Sequence, residues 1–305
     1  MTDRPLGRVR DRRRAPLGAA FGATLLMVGA CAPGPTAPPS TPSTSPVPSL
    51  GPTATARPTA TAAGTRAYFV LGSGARTGLV PVASAIGAPE DGPESATRAL
   101  LAGPPVVEGL PLPALRTAIP RGVEWLGLNV DAGVATVDLD ATFETATDDG
   151  LPTAFRVAQV VYTLTQFPEI DAVQIHIAGE LVTRIGPDGF PQDRPLVRAD
   201  FTEQLPALFV DVPAWGSAIS SPVHVVGLAN AFEATFELRI ADAEGRALAA
   251  GSVTASCGTG CWGDFDVVVP FTVQAAGPGV LQVFELSPRD GATQNLREYV
   301  VTLVP

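Results

Sequence analysis

The 305-residue chain contains no lysine. Its basic side chains are all arginine, which excludes Schiff-base chemistry and a phosphate-loop lysine alike. Histidine is almost as scarce, with only His176 and His224, and both fall in segments that read as strands. A nucleophilic triad needs a Ser or Cys, a His base and an orienting acid. No G-x-S-x-G elbow accompanies either histidine, and the "GSGAR" run around Ser73 reads as a turn. No apolar run reaches the ~20 residues that a helix needs to cross a bilayer. Excess positive charge is lacking too. The formal charge is −10, and residues 1–30 carry Arg4, Arg8, Arg10, Arg12, Arg13 and Arg14 against Asp3 and Asp11, which leaves the rest near −14. So acidic a body disfavours nucleic acid and anionic headgroups as partners.

What is present begins with those arginines. They precede an apolar run from about Ala15 to Ala30 that ends in small residues, the layout of an export signal. Cys31 follows directly after Val28-Gly29-Ala30, and this junction resembles a bacterial lipobox. The resemblance implies that residues 1–30 are a lipoprotein signal peptide. It further implies that Cys31 carries a diacylglycerol and that the protein sits on the extracytoplasmic face of the cell membrane. Plain secretion with cleavage near an alanine is the alternative. Residues 31–65 are almost only Pro, Ala, Thr, Ser and Gly. They have too little to bury to offset their ordering entropy, so a disordered tether is expected. Fully stretched at ~3.1 Å per residue, it reaches roughly 100 Å.

The remaining cysteines stand in "CGTGC", Cys257 and Cys261. In an exported protein this spacing reads most simply as a disulfide, with Gly258 and Gly260 giving the freedom a tight loop requires. The sharper alternatives are a redox pair or half of a metal site. Redox motifs favour two intervening residues, and no His or third Cys lies nearby in sequence to complete a zinc site.

Two folded bodies follow the tether, each with its own apolar set and so expected to be separable. Residues 66–185 read as β-β-α-β-β-α-β, an α+β domain with helices on one side of a sheet. The arm "VATVDLD" alternates Ala135, Val137 and Leu139 with Thr136, Asp138 and Asp140. "LPTAFRVAQVVYTLTQF" is the clearest helix, with Val157, Val160, Val161, Leu164 and Phe167 on one face. Its opposite stripe, Gln159, Thr163 and Gln166, is expected to be exposed and is the candidate partner-contact face. Pro152 fits the helix start, and Asp148 and Asp149 favour its positive end. Residues 186–212 read as a Pro-containing linker. Residues 213–305 hold six or seven short strands. One of them alternates Phe232, Ala234, Phe236, Leu238 and Ile240 with Glu233, Thr235, Glu237 and Arg239, as expected for an all-β immunoglobulin-like sandwich.

The segments "LVPVAS", "RALLAGPP", "TAIPRGVEWLGLNVDAGVATVDLDATF" and "AQVVYTLTQFPEIDAVQIHIAGE" together resemble the GerMN domain of sporulation and spore-germination lipoproteins. "ISSPVHVVGLANAFEATFELRIADAEGRAL", the "CGTGCWGDF" loop and "VFELSPRDG" resemble the Ig-like domain found after GerMN domains. "DLD" departs from the Asp-Leu-Ser common at that position, where Asp140 still supplies a short polar cap. The resemblance implies a non-catalytic envelope lipoprotein that acts as an assembly module, needs no cofactor and has other envelope proteins as partners.

Other chemistry has weaker support in the sequence. Asp138 and Asp140, with Glu144, Asp148 and Asp149 behind them, are adjacent on one strand face rather than opposed across a cleft. They also miss the spacing of a calcium loop. A solvated acidic face is expected, with no catalytic residue and no metal site. Cell-wall glycan (peptidoglycan) binding, and after it glycan hydrolysis, is the alternative function; Trp125, Trp215 and Trp262 exposed together, or a cleft holding opposed carboxylates, would favour it.

Overall fold

The computed structural model describes residues 49–50, 64–72, 77–84, 92–105, 115–147 and 150–305. The expected signal peptide at residues 1–30, Cys31 and most of residues 32–65 lie outside the described residues, as do Ser73, Asp148 and Asp149.

The first described element is the two-residue strand β1 (Ser49–Leu50). The GerMN-like region opens with an antiparallel hairpin of β2 (Arg66–Leu71) and β3 (Gly78–Ala83), paired from Arg66↔Ala83 to Leu71↔Gly78. Every residue of β2 is buried, so both of its faces are covered. Helix α1 (Pro93–Leu101) begins on a proline whose missing N–H costs nothing in the first turn, and it buries Ala96, Thr97 and Leu100. Then β4 (Trp125–Asp131) and β5 (Val134–Leu139) form a hairpin, turning through Ala132 and Gly133 at positive φ. Helix α2 (Thr153–Leu164) leads to β6 (Ala172–Ile177), which lies parallel to β5, and to the short β7 (Glu180–Leu181). The expected element order is present. Two sheets stand where one was expected: the hairpin β2–β3 is separate from the four-stranded sheet β4-β5-β6-β7. Helix α2 packs against both β2 and β6.

The stretch 186–212 is folded rather than a linker. It continues a small hairpin of β8 (Arg184–Ile185) and β9 (Phe190–Pro191), then forms the 3-10 segment Arg198–Gln204 and β10 (Leu208–Val212). Pro187, Pro191 and Pro195 give it a linker's composition, yet Leu196, Phe201, Leu205, Leu208, Phe209 and Val210 are all buried. Leu196 bridges to Val173, and the Gln192 side chain bonds both the N–H and the C=O of Ile175. Asp188 accepts from the N–H and hydroxyl of Thr153, so this segment caps the start of α2.

The sandwich comprises β11 (Ala218–Ile219), β12 (Val223–Ala229), β13 (Thr235–Asp242), β14 (Ala247–Thr254), β15 (Gly263–Val269), β16 (Gly277–Leu286) and β17 (Thr293–Leu303), together with β10. One sheet runs β10-β12-β15 and the other β1-β14-β13-β16-β17-β11. Phe236, Leu238 and Ile240 point into the core as expected. Phe232 does not. Glu233 and Ala234 take positive φ, which breaks the strand before Thr235 and leaves Phe232 51% exposed.

The two bodies share one core. A single cluster of buried apolar side chains runs from Tyr68, Phe69 and Val80 through Tyr162 and Phe209 to Val225, Phe236 and Tyr299. Strand β10 explains this continuity, because Leu208 and Val210 face the sandwich interior while Phe209 meets the ring of Tyr162 edge-on at 5.8 Å. A Cβ on Gly78 would lie 2.7 Å from the backbone nitrogen of Pro206, so the hairpin tip needs glycine to approach this closely.

Candidate functional site

The expected contact face on α2 is not at the surface. Gln159, Thr163 and Gln166 are 0%, 0% and 2% exposed. The cause is the second edge of β2, which among the described residues has no strand beside it, only the single bridge from Val70 to Arg116. Gln166 accepts from Arg66 N–H at 2.8 Å and donates to Arg66 C=O at 2.6 Å. Thr163 accepts from Tyr68 N–H at 3.1 Å, and Gln159 donates to Tyr68 C=O at 2.8 Å. Gln159 also accepts from Ala118 N–H at 2.8 Å, and Val70 pairs with Arg116. The polar stripe thus supplies the hydrogen bonds that a neighbouring strand would make, as buried backbone groups require.

The same hairpin carries a charge cluster that joins the two bodies. Asp211 on β10 accepts from Arg198 at 2.9 Å and from the Tyr68 hydroxyl, and Arg66 lies 3.9 Å away. Arg198 also donates to Tyr68 Oη and to Tyr162 C=O, both at 3.1 Å, and its guanidinium stacks over the Tyr162 ring at 4.6 Å. Burial alone would raise the Asp211 pKa, but the charges of Arg198 and Arg66 and the hydrogen bonds from Tyr68 and Arg198 outweigh it and hold the carboxyl at about 2. Burial raises the Tyr68 hydroxyl pKa. The group has two arginines to one carboxylate, and Arg66 Nη1 is buried without a partner. Arg66 and Asp211 are too far apart in sequence for spacing to link them. The one local sign is a carboxylate within the apolar run Leu208-Phe209-Val210-Asp211-Val212.

The carboxylates of the four-stranded sheet act locally. Asp138 accepts from Gly179 N–H at 2.9 Å. Asp140 sits at the N-cap of the 3-10 turn Ala141–Glu144 and accepts from the Thr142 hydroxyl at 2.5 Å and from Glu124 N–H at 2.9 Å, bonds that lower its pKa. Glu144 accepts from Gly186 N–H at 3.0 Å. His176 lies beside Asp138 across β5–β6, and His224 faces Asp266 at 3.6 Å on the sandwich. Among the described residues, no group of three or more His, Cys, Asp or Glu is placed to hold a metal ion. The tryptophans are dispersed. Arg98 covers Trp125 at 4.3 Å, Trp215 is buried between the bodies, and Trp262 packs on the sandwich core. Cys257 and Cys261 are bonded, with a Cα–Cα distance of 6.0 Å, and Thr259 within their loop bonds Ala231 C=O and Glu233 N–H.

What remains open is the edge of the four-stranded sheet. β4 is its outermost strand, and among the described residues nothing pairs with its outer side. It bulges between Trp125 and Gly127, and it exposes Leu126 at 51% and Val130 at 38%. An apolar edge with unpaired backbone groups is a template for another strand.

Residues 66–183 match the family described as sporulation and spore germination, and residues 207–292 match the immunoglobulin-like domain of bacterial spore germination. No curated protein matches the chain. Among solved structures, the tandem GerMN domains of the sporulation protein GerM from Bacillus subtilis are 22% identical over 62% of this chain and 59% of their own, with a TM-score of 0.37. The first GerMN domain of that protein is 23% identical over 45% of this chain and 98% of its own, with a TM-score of 0.32. The chain therefore spans 59% of the tandem structure it matches. With the two matched segments in this order, the chain belongs to the sporulation and spore-germination family of GerM type, as a GerMN domain followed by its immunoglobulin-like domain.

Proposed function

We propose that the chain is a non-catalytic assembly module of the cell envelope, held at the membrane by lipid on Cys31 and contacting other envelope proteins through the outer edge of β4. The observation that carries the contact is the unpaired β4 edge with Leu126 and Val130 exposed on it. Backbone hydrogen bonds along such an edge supply affinity, and the two apolar side chains supply register. The anchor rests on the lipobox-like junction at residues 28–31.

The test is a crosslinked pull-down from membranes with the full-length chain, run beside a peptidoglycan pelleting assay. Leu126→Asp/Val130→Asp should abolish recovery of the crosslinked partner without shifting the thermal midpoint by more than a few degrees. Recovery equal to wild type would refute the edge. Pelleting with peptidoglycan that survives the double substitution would point to the glycan instead. Cys31→Ser should abolish labelling by a fatty-acid analogue, and unchanged labelling would remove the anchor.

A further inference from the structure

Two described residues of the tether lie on the sandwich. Ser49 and Leu50 form β1, which runs parallel to β14 with Ser49↔Ser252 and Leu50↔Val253 as partners. β14 is otherwise the last strand of the larger sheet, and β15 is the last strand of the smaller one. β1 lies against both, at the seam where the two sheets of the sandwich stop. Among the described residues, nothing else pairs with the outer side of β14, so Ala247–Gly251 keep an unpaired edge beside it.

The sequence marks the same spot independently. Between residues 32 and 65 the only branched aliphatic residues are Val47 and Leu50, in "PVPSLGP". The paired dipeptide thus coincides with the most apolar point of an otherwise Pro, Ala, Thr, Ser and Gly segment. Pro48 and Pro52 flank it. Proline cannot donate to a ladder, so it is tolerated at a sheet edge and limits how far pairing extends. A two-residue strand between prolines is therefore what this sequence can offer an edge. The acceptor is suited to it, because β14 pairs through Ser252 and Val253 directly after the small residues Ala249, Ala250 and Gly251, which leave room for another backbone.

We propose that the β14 edge is a strand-acceptor site and that its occupant is the chain's own tether, docked in parallel register at Ser49–Leu50. The occupied edge is withheld from edge-to-edge pairing with other chains. Docking also divides the tether. The part between Cys31 and Ser49 spans only about 55 Å at full extension, roughly half the reach of the whole segment. The inference holds whether or not Cys31 carries a lipid.

The test uses the full exported chain with Leu50→Cys/Val253→Cys, and Thr61→Cys/Val253→Cys as control. Mild oxidation followed by non-reducing peptide mapping should yield a 50–253 crosslink within one chain, at least tenfold more abundant than the control crosslink. A yield no higher than the control would overturn the proposal. A crosslink found only between chains would overturn it too, by assigning the strand to a second copy. A second measurement avoids new cysteines. In the Ser49→Gly/Leu50→Gly chain, the peptide spanning Ser252–Val253 should exchange its amide hydrogens at least tenfold faster than in wild type, with β13 unchanged. Equal exchange in both chains would reject the docked tether.

Discussion

Helix α2 and strand β13 carry equally clean amphipathic patterns, and the fold uses their polar halves in opposite ways. In β13 the apolar residues Phe236, Leu238 and Ile240 are buried, while Glu237 and Arg239 lie on the outer face, where Arg239 bonds Gly245 C=O at 2.5 Å. In α2 the polar stripe is as buried as the apolar one. The difference lies in the neighbours' backbones. β13 has β14 and β16 on its two edges, so its main chain is satisfied and its polar side chains stay on the half-exposed outer face. β2 has one strand neighbour, and α2 crosses its other edge, so Gln159, Thr163 and Gln166 take the place of a strand. Periodicity tells where apolar side chains go. It tells where polar ones go only when no unpaired backbone lies within reach.

The comparison breaks most visibly if the buried polar groups prove dispensable. Asp211→Ala leaves the buried Arg66 and the half-buried Arg198 without their carboxylate, and the expected loss is about 3–5 kcal/mol in urea unfolding. An acid titration of the wild-type chain probes the same group. A carboxyl held at about 2 in the fold, against an ordinary value near 4, gives its full stabilisation above about pH 4 and loses it as pH falls towards 2. That step is on the order of 2 kcal/mol and should shrink in Asp211→Asn, whose side chain does not ionise.

Gln159→Ala sharpens the contrast at the next level. It strands Tyr68 C=O and Ala118 N–H in the interior, for an expected loss of about 1–3 kcal/mol. Glu298→Ala, which removes an exposed partner of Gln282 on the sandwich face, should stay within about 0.5 kcal/mol. Equal effects in the two variants would erase the distinction between α2 and the sheet faces. Smaller than the Gln159 effect should be Cys257→Ser/Cys261→Ser, at about 1 kcal/mol with the fold retained, because so short a loop removes little unfolded-state entropy. Intact mass before and after reduction, differing by about 2 Da, checks the bond itself.

Much of the fold is legible in the residues. The helices, the hairpin turn at Ala132-Gly133, the alternation of β5 and β13 and the bonded "CGTGC" all follow from local pattern. The parts that escaped it depend on partners distant in sequence. Arg66, Tyr68, Arg198 and Asp211 meet only once β10 lies on the hairpin, and no spacing encodes that meeting. Pro187, Pro191 and Pro195 gave residues 186–212 the composition of a connector, although Leu196, Phe201 and Leu205 bury there. Phe232 fits the alternation of β13 until Glu233 and Ala234 turn the chain away. Of the candidate site, the α2 stripe was legible as a stripe but not as an interior one. The β4 edge could not be read, because which strand ends outermost is a property of the sheet.

Trp215 has a consequence for mechanics. Its N–H bonds Pro81 C=O and its C=O receives Ala83 N–H, both at 2.9 Å, while the next residue, Gly216, bonds Val300 C=O at 2.7 Å. One short segment is thus laced to β3 on one flank and to β17 on the other. A torque applied to the GerMN domain has a path through main-chain hydrogen bonds into the larger sheet of the sandwich. Drawing the two bodies apart therefore means breaking paired backbone and opening a shared core, not bending a connector.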